Sequence, residues 1–377
     1  MKLLYVIFQY HYQYDHFLPF YRLFGGQFLA TTQESYQFLL EKGLDVVLIP
    51  EDAGGTHLDD RHVEKLSDFI NQQKADMVLM TDILPEFSQT NFLKKIQPLT
   101  FFICHGFSNK DFYVPYRKQV VNDFDYVLSY GPIYTEYLVK KVGVRTNIVK
   151  YGLPRLVELN QKIQNQEYVQ QLKQRFMEKY QLDGSRKVIL FAPTWYCFFA
   201  SVRDIASEIV RKIDRNEFVV LFRPHPMTPE KYLVPFREME GRSFIFVGDE
   251  DLIELILIAD LLLGDDSSVN YDFLVTRKPI VYTWSRKVPR WKVTRWKYQM
   301  SWKLTREYWR AVPKIHRWNV SRTNRILHQA FQKQSETLPQ IERFIQNCYY
   351  NFDHTDYSEL EITLNEMVNH GKKITHH

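Results

Sequence analysis

Four short motifs in this sequence set chemically capable side chains beside turn formers, and each directly follows an apolar run. The first is Ile103-Cys104-His105-Gly106. A histidine there can act as a base near neutral pH, and Gly106 lets backbone approach a substrate. A histidine that merely satisfies a loop carbonyl would look the same. The second is Phe222-Arg223-Pro224-His225-Pro226-Met227-Thr228. Its prolines stiffen the turn and restrict how His225 points. With Arg223 beside it, the imidazole suits a phosphate oxygen, and a rigid turn with an incidental histidine is an equal alternative.

The third motif, Asp260-Leu261-Leu262-Leu263-Gly264-Asp265-Asp266-Ser267-Ser268, runs from a strand into a helical stretch at 269–275. Small hydroxyls at a helix start cap free amides, and those amides attract anions together with the helix dipole. Ser267 and Ser268 therefore suit a phosphate oxygen, although ordinary capping explains them too. Asp265 and Asp266 would repel a phosphate unless turned away. The fourth motif is Leu190-Phe191-Ala192-Pro193-Thr194-Trp195. Thr194 reads as a cap or a donor contact and Trp195 as a cleft wall, while Tyr196, Phe198 and Phe199 suit core packing equally well.

These motifs need strands to carry them. Short apolar runs alternate with helical periodicity, the pattern of parallel sheets wrapped by helices. Strands are expected at 3–8, 46–49, 77–80, 100–104, 126–129 and 146–150, with helices around 61–73 and 134–142. Tyr151-Gly152-Leu153-Pro154 closes this half. A polar helix is expected at 157–180, and strands resume at 188–191, 219–222, 244–247, 261–263 and 280–282. The expected division is 1–156, a connecting helix at 157–182, a second sheet domain at 183–285 and a tail at 286–377. Doubly wound sheets bind ligands beyond the carboxyl ends of their strands, where all four motifs fall.

Composition narrows the class. A chain of 377 residues is long enough for two cores, and a formal charge of +5 argues neither for nor against nucleic acid. The three cysteines, Cys104, Cys197 and Cys348, lie far apart, which suits a reducing compartment and gives no metal-ligand spacing. The opening apolar run is interrupted at once by Gln9, His11, Gln13 and Asp15, so it reads as a buried strand rather than a leader. No apolar run has the length to span a bilayer, and a cytoplasmic location is expected. No acidic cluster has metal-site spacing, so neither metal nor cofactor is expected, although Asp265-Asp266 keeps a cation open.

Taken together, the motifs resemble the CDP-glycerol glycerophosphotransferase family, the teichoic acid primases and polymerases. The resemblance rests on His105-Gly106, Ala192-Pro193-Thr194-Trp195, His225-Pro226, Asp265-Asp266-Ser267-Ser268 with Tyr271-Asp272-Phe273, and Lys278-Pro279-Ile280, in that order. It implies a GT-B fold: α/β, two Rossmann-like doubly wound parallel-sheet domains facing a central cleft, with C-terminal helices. It also implies transfer of a polyol phosphate from a CDP-linked donor to a hydroxyl of a lipid-linked or polymer acceptor. His105 would be the base that activates the acceptor and His225 would contact the donor diphosphate. Ser267 and Ser268 would complete the phosphate cradle, with Arg223, Thr194, Asp266 and Gly106 beside it. Phe107-Ser108-Asn109-Lys110 and Tyr196 depart from the family's usual residues, which leaves the acceptor open. A nucleotide-sugar glycosyltransferase or epimerase of related fold, and a non-catalytic scaffold at a membrane, are the alternatives.

Residues 285–325 form the sharpest shift in composition. Six of the seven tryptophans lie between Trp284 and Trp318, and Glu307 is the only acid in the stretch. On a helical projection Trp291, Tyr298, Trp302 and Trp309 form a stripe, flanked by Lys292, Arg295, Lys303, Arg306 and Arg310. An aromatic stripe beside a basic flank fits peripheral contact with an anionic membrane surface or with the acceptor. Packing back on the core fits as well. Nucleic acid, the remaining partner for such a stripe, is not expected.

Overall fold

The structure is a computed structural model. It describes residues 1–8, 11–49, 60–81, 91–104, 120–194, 201–248, 250–265, 267–284, 308 and 310–374, and only the backbone of 11, 12, 60, 61, 203 and 371–374. The chain divides into two compact units. One comprises Met1–Phe107, Phe112–Glu158 and Tyr349–His377, and the other is built mainly from Leu159–Cys348.

The first unit holds a seven-stranded sheet. Its strands are β1 (Leu3–Ile7), β2 (Gln27–Ala30), β3 (Val46–Leu48), β4 (Met77–Met80), β5 (Leu99–Phe102), β6 (Tyr126–Ser129) and β7 (Asn147–Lys150). They lie in the order β3-β2-β1-β4-β5-β6-β7, all parallel. Every residue of β1 and β4 is buried, as strands covered on both faces require. β2 was not anticipated: it is four residues long and follows Gly25-Gly26, too short to show a period. The helix expected at 134–142 is a short α-helix, Pro132–Tyr137, passing into a π turn, Leu138–Val142, that ends on left-handed Gly143.

The C-terminal residues complete this unit. Tyr350 donates its backbone N–H to the carbonyl of Tyr130, just past β6, at 2.6 Å. Its hydroxyl lies 2.9 Å from Thr135 Oγ1, which lies 2.7 Å from Ser129 Oγ. Gly152, just past β7, has φ +108°, and a Cβ there would run into the Tyr350 carbonyl. That approach requires glycine. The final helix, Ser358–Ile374, buries Leu360, Leu364, Met367 and Val368, a one-sided apolar stripe at helical spacing.

The second unit carries a six-stranded parallel sheet. Its strands are β8 (Lys187–Phe191), β9 (Phe218–Phe222), β10 (Phe244–Phe246), β11 (Leu261–Gly264), β12 (Ile280–Thr283) and β13 (Lys314–Ile315). Their order is β10-β9-β8-β11-β12-β13. The two-residue β13 carries too little pattern to be read from sequence. Phe222 is ringed by Phe191, Phe236 and Phe244 at centroid distances of 5.3, 4.6 and 5.5 Å in a closely packed core.

The single helix expected at 157–180 is two helices, Arg155–Gln164 and Gln166–Lys179. Asn165 divides them because its side chain caps the second, accepting the N–H of Tyr168 at 3.0 Å.

Candidate functional site

In the second sheet the strand order reverses between β8 and β11, so the chain leaves these two neighbours toward opposite edges. A crevice beyond the carboxyl ends at such a switch point is where doubly wound sheets take ligands. β9, β8 and β11 are consecutive in the sheet, and adjacent strands lie about 4.8 Å apart. The motifs that follow them are therefore brought within roughly 10 Å in the sheet direction. Thr194 follows β8, Arg223 and His225 follow β9, and Ser267 and Ser268 follow β11. Folding thus gathers five of the anticipated residues at the ends of three neighbouring strands.

The turn after β9 fixes the histidine. Arg223 continues the ladder by donating its N–H to Phe191 O at 2.9 Å. Thr228 N–H bonds back to the carbonyl of His225 at 2.8 Å, closing a turn over Pro226 and Met227. His225 Nδ1 accepts the N–H of Met227 at 3.2 Å. An accepting Nδ1 places the proton of the neutral, half-buried ring on Nε2, which makes Nε2–H the donor side of the imidazole. A phosphate oxygen needs a donor of that kind.

The turn after β11 is held from several sides. Asp265 is only 1% exposed, and its carboxylate faces into the protein. Oδ1 accepts the N–H of Thr194 at 2.7 Å, and Oδ2 accepts the N–H and the hydroxyl of Ser201, both at 2.8 Å. Asn270 Nδ2 donates to the Asp265 carbonyl, and Thr283 Oγ1 donates to the Gly264 carbonyl at 3.0 Å. Gly264 leaves the space that Asn270 occupies, since a Cβ on it would collide with that side chain. The concern that Asp265 would repel a phosphate is answered by this inward orientation.

The serines behave differently from each other. Ser267 is buried, and its Oγ accepts the N–H of Val269 at 3.4 Å, a long bond. Ser268 occupies the N-cap of the short helix Val269–Leu274, is partly exposed and makes no side-chain capping bond. Capping therefore explains little of Ser268. Thr194 is 3% exposed and commits its backbone N–H to Asp265, so it ties the end of β8 to the end of β11.

Other charged groups belong to the framework. Asp260, which precedes β11, accepts the N–H of Val188 at 2.7 Å and pairs with Lys173 at 3.2 Å, at the amino end of the sheet. Glu254 accepts the Tyr168 hydroxyl at 3.2 Å. Lys278 donates to the carbonyls of Leu257 and Ala259 at 2.6 and 2.8 Å, closing the end of the helix Leu252–Ile258. Burial lowers its pKa to about 8, against the opposing attraction of Asp260. In the first unit, His16 Nε2 lies 3.4 Å from Arg155 Nη1, and Gln13 Oε1 accepts the Thr81 hydroxyl at 2.6 Å.

His105, Gly106, Asp266, Trp291, Arg295, Trp302, Arg306 and Trp309 lie outside the described residues. β5 ends at Phe102, three residues before His105. Among the described residues no three His, Cys, Asp or Glu side chains gather to hold a metal ion, and no helix is long and apolar enough to cross a membrane. Sequence reasoning missed Ser201 and Asn270. Asn270 had a signal, a polar residue inside the apolar run of a short helix; Ser201 had none.

Comparison with known proteins agrees with this geometry. Residues 105–289 match the family model described as CDP-Glycerol:Poly(glycerophosphate) glycerophosphotransferase. Over 185 residues the chain is 30% identical to the teichoic acid poly(glycerol phosphate) polymerase of Bacillus subtilis (strain 168), covering 47% of this chain and 24% of that protein. Over 178 residues it is 33% identical to the teichoic acid glycerol-phosphate transferase of Staphylococcus aureus (strain NCTC 8325 / PS 47), covering 44% and 42%. The chain thus spans less than half the length of these relatives. The solved wall teichoic acid polymerase TagF superposes with a TM-score of 0.66 at 16% identity, over 100% of this chain and 90% of that one. The S. aureus MnaA–UDP structure superposes with a TM-score of 0.59 at 14% identity, over 97% of both chains. These likenesses establish the α/β GT-B fold class. The histidine, threonine and serine motifs all lie inside residues 105–289, the segment that matches the CDP-glycerol:poly(glycerophosphate) glycerophosphotransferase family model.

Proposed function

We propose that the chain is a transferase that moves a glycerol phosphate, or a similar polyol phosphate, from a CDP-activated donor to a hydroxyl of a cell-surface polymer precursor. The observation that carries this reading is the convergence of His225, Thr194 and Ser267-Ser268 on the adjacent carboxyl ends of β9, β8 and β11, within the segment that matches the family. In this reading the acceptor oxygen attacks the β-phosphorus of the donor. The bond from that phosphorus to the bridging oxygen breaks, and its electron pair leaves with CMP. His105 takes the acceptor's proton. His225 donates Nε2–H to the diphosphate, Arg223 adds positive charge, and Ser267 and Ser268 bond the phosphate oxygens. The second unit thus takes the donor, and the segment with His105 serves the acceptor. A histidine-to-asparagine variant of TagF has been solved after soaking with CDPG, which supports a donor of this class for the shared fold.

Incubation with CDP-glycerol, CDP-ribitol and UDP-sugars, with the released nucleotide identified, tests the reading. CMP release from a CDP-polyol is expected. UDP release from a UDP-sugar would overturn it in favour of a glycosyltransferase, and epimerisation without nucleotide release would favour an epimerase. His105→Ala and His225→Ala each abolish turnover if the assignment holds. Near-normal CMP release in either variant refutes that residue's role.

One observation favours a membrane-facing role for the basic, tryptophan-rich stretch. Trp318 is 76% exposed, with the Arg317 guanidinium 4.0 Å from its ring. An exposed indole beside a cation suits the headgroup region of an anionic bilayer. Co-sedimentation with phosphatidylglycerol vesicles at low salt is expected, and absence of binding under those conditions would sink it.

A further inference from the structure

The first aspartate of the Asp265-Asp266-Ser267-Ser268 run is used by neither the donor contacts nor the proton transfer. It is nonetheless buried, and its carboxylate accepts three hydrogen bonds. Three donors converge on it, from Thr194 N–H at 2.7 Å and from Ser201 N–H and Oγ–H at 2.8 Å each. Thr194 lies just past β8 and Ser201 seven residues further along the chain, so one side chain at the end of β11 bonds both of these positions. The same residue's carbonyl is held by Asn270, and the preceding carbonyl, that of Gly264, by Thr283. Ser267 and Ser268 follow two and three positions later in the chain.

From these bonds we propose that Asp265 is a positioning residue for the donor site. It sets Thr194, at the end of β8, and the Ser267-Ser268 turn at a fixed distance across the switch point without touching donor or cation. This rests on the donor reading given above. A carboxylate suits the task because it only accepts, and three N–H or O–H groups face it with none in conflict. An asparagine there keeps one accepting oxygen and turns an NH2 group toward a donor. At least one of Thr194 and Ser201 then loses its acceptor inside the protein. The crevice loosens where the phosphate oxygens must be met, so the donor binds more weakly.

The test is isothermal titration of the full chain with CDP-glycerol, well below the melting temperature, with thermal unfolding measured in parallel. Asp265→Asn should weaken donor binding by about tenfold or more, the effect of one lost buried hydrogen bond to a charged group. Ser201→Ala, which removes one of the three donors, should weaken it by a smaller factor. Lower thermal stability with unchanged affinity in both Asp265→Asn and Ser201→Ala would overturn the proposal, because Asp265 would then serve stability alone. Donor binding by wild type that chelator abolishes, and that Asp265→Asn makes insensitive to chelator, would overturn it in favour of a cation ligand. If Asp265→Asn does not fold, Ser201→Ala decides, and unchanged affinity in it overturns the proposal. Wild type that binds no CDP-glycerol would refute the donor reading itself, and this proposal with it.

Discussion

Replacing Gly152 with alanine should unfasten the C-terminal segment from the first sheet. Gly152 sits just past β7 with φ +108°, a conformation that costs an L-residue about 1–3 kcal/mol. Its new methyl would meet the Tyr350 carbonyl, so the 349–350 backbone has to move. That movement breaks the 2.6 Å bond from Tyr350 N–H to Tyr130 O, worth about 1 kcal/mol net. The combined loss is about 2–4 kcal/mol, which for a unit of this size lowers the melting temperature by roughly 4–16 °C. Urea denaturation gives the magnitude, and amide hydrogen exchange gives the location. Protection should fall in β6, β7 and the final helix while β8 to β12 keep theirs. Gly184→Ala is the control, since nothing lies within 4 Å of its added methyl and its φ is ordinary. The reasoning fails if Gly152→Ala unfolds within about 0.5 kcal/mol of wild type, the range of a neutral surface change, or if the lost protection appears in the second sheet.

Two further predictions concern the second unit. Gly264→Ala forces Asn270 from its place and breaks its bond to the Asp265 carbonyl, which should cost about 1–3 kcal/mol by urea denaturation; an unchanged midpoint would refute the packing argument. The Lys278 ammonium has its pKa lowered from 10.5 to about 8, so below pH 8 the folded chain carries a poorly hydrated charge that the unfolded chain does not. Between pH 8 and 10.5 the unfolded state binds more protons, so this group's contribution to stability rises with pH over that window. Relative to Lys278→Met, wild type should gain up to about 3 kcal/mol from pH 7.5 to 10.5. A stability difference between the two that does not change with pH would contradict it.

Much of the fold was legible because a parallel sheet covered on both faces writes itself as short apolar runs. LLYVI, MVLM and FVVLF are such runs, and β1, β4 and β9 begin within one residue of the expected positions. The motifs at strand ends were legible for the same reason, since the fold leaves polar residues free at the carboxyl edge. What stayed hidden was short or non-local. β2 and β13 have four and two residues. The break at Asn165 depends on a side chain competing with the helix it interrupts. Asp265 looked like a liability for phosphate because its partner Ser201 lies 64 residues away in sequence, and no spacing rule connects them.

The route of the chain through the first unit has a consequence for its birth on the ribosome. β1 to β7 emerge early, yet the Tyr350 backbone that meets Tyr130 and Gly152 is made only after the whole second unit, Leu159–Cys348. At 5–20 residues per second that interval is roughly 10–40 s. During it Leu159–Cys348, the bulk of the second unit, can fold, while the nascent first sheet waits without the Tyr350 backbone that meets Tyr130 and Gly152. A slow codon run within that interval would lengthen the time for which the first sheet stays uncovered.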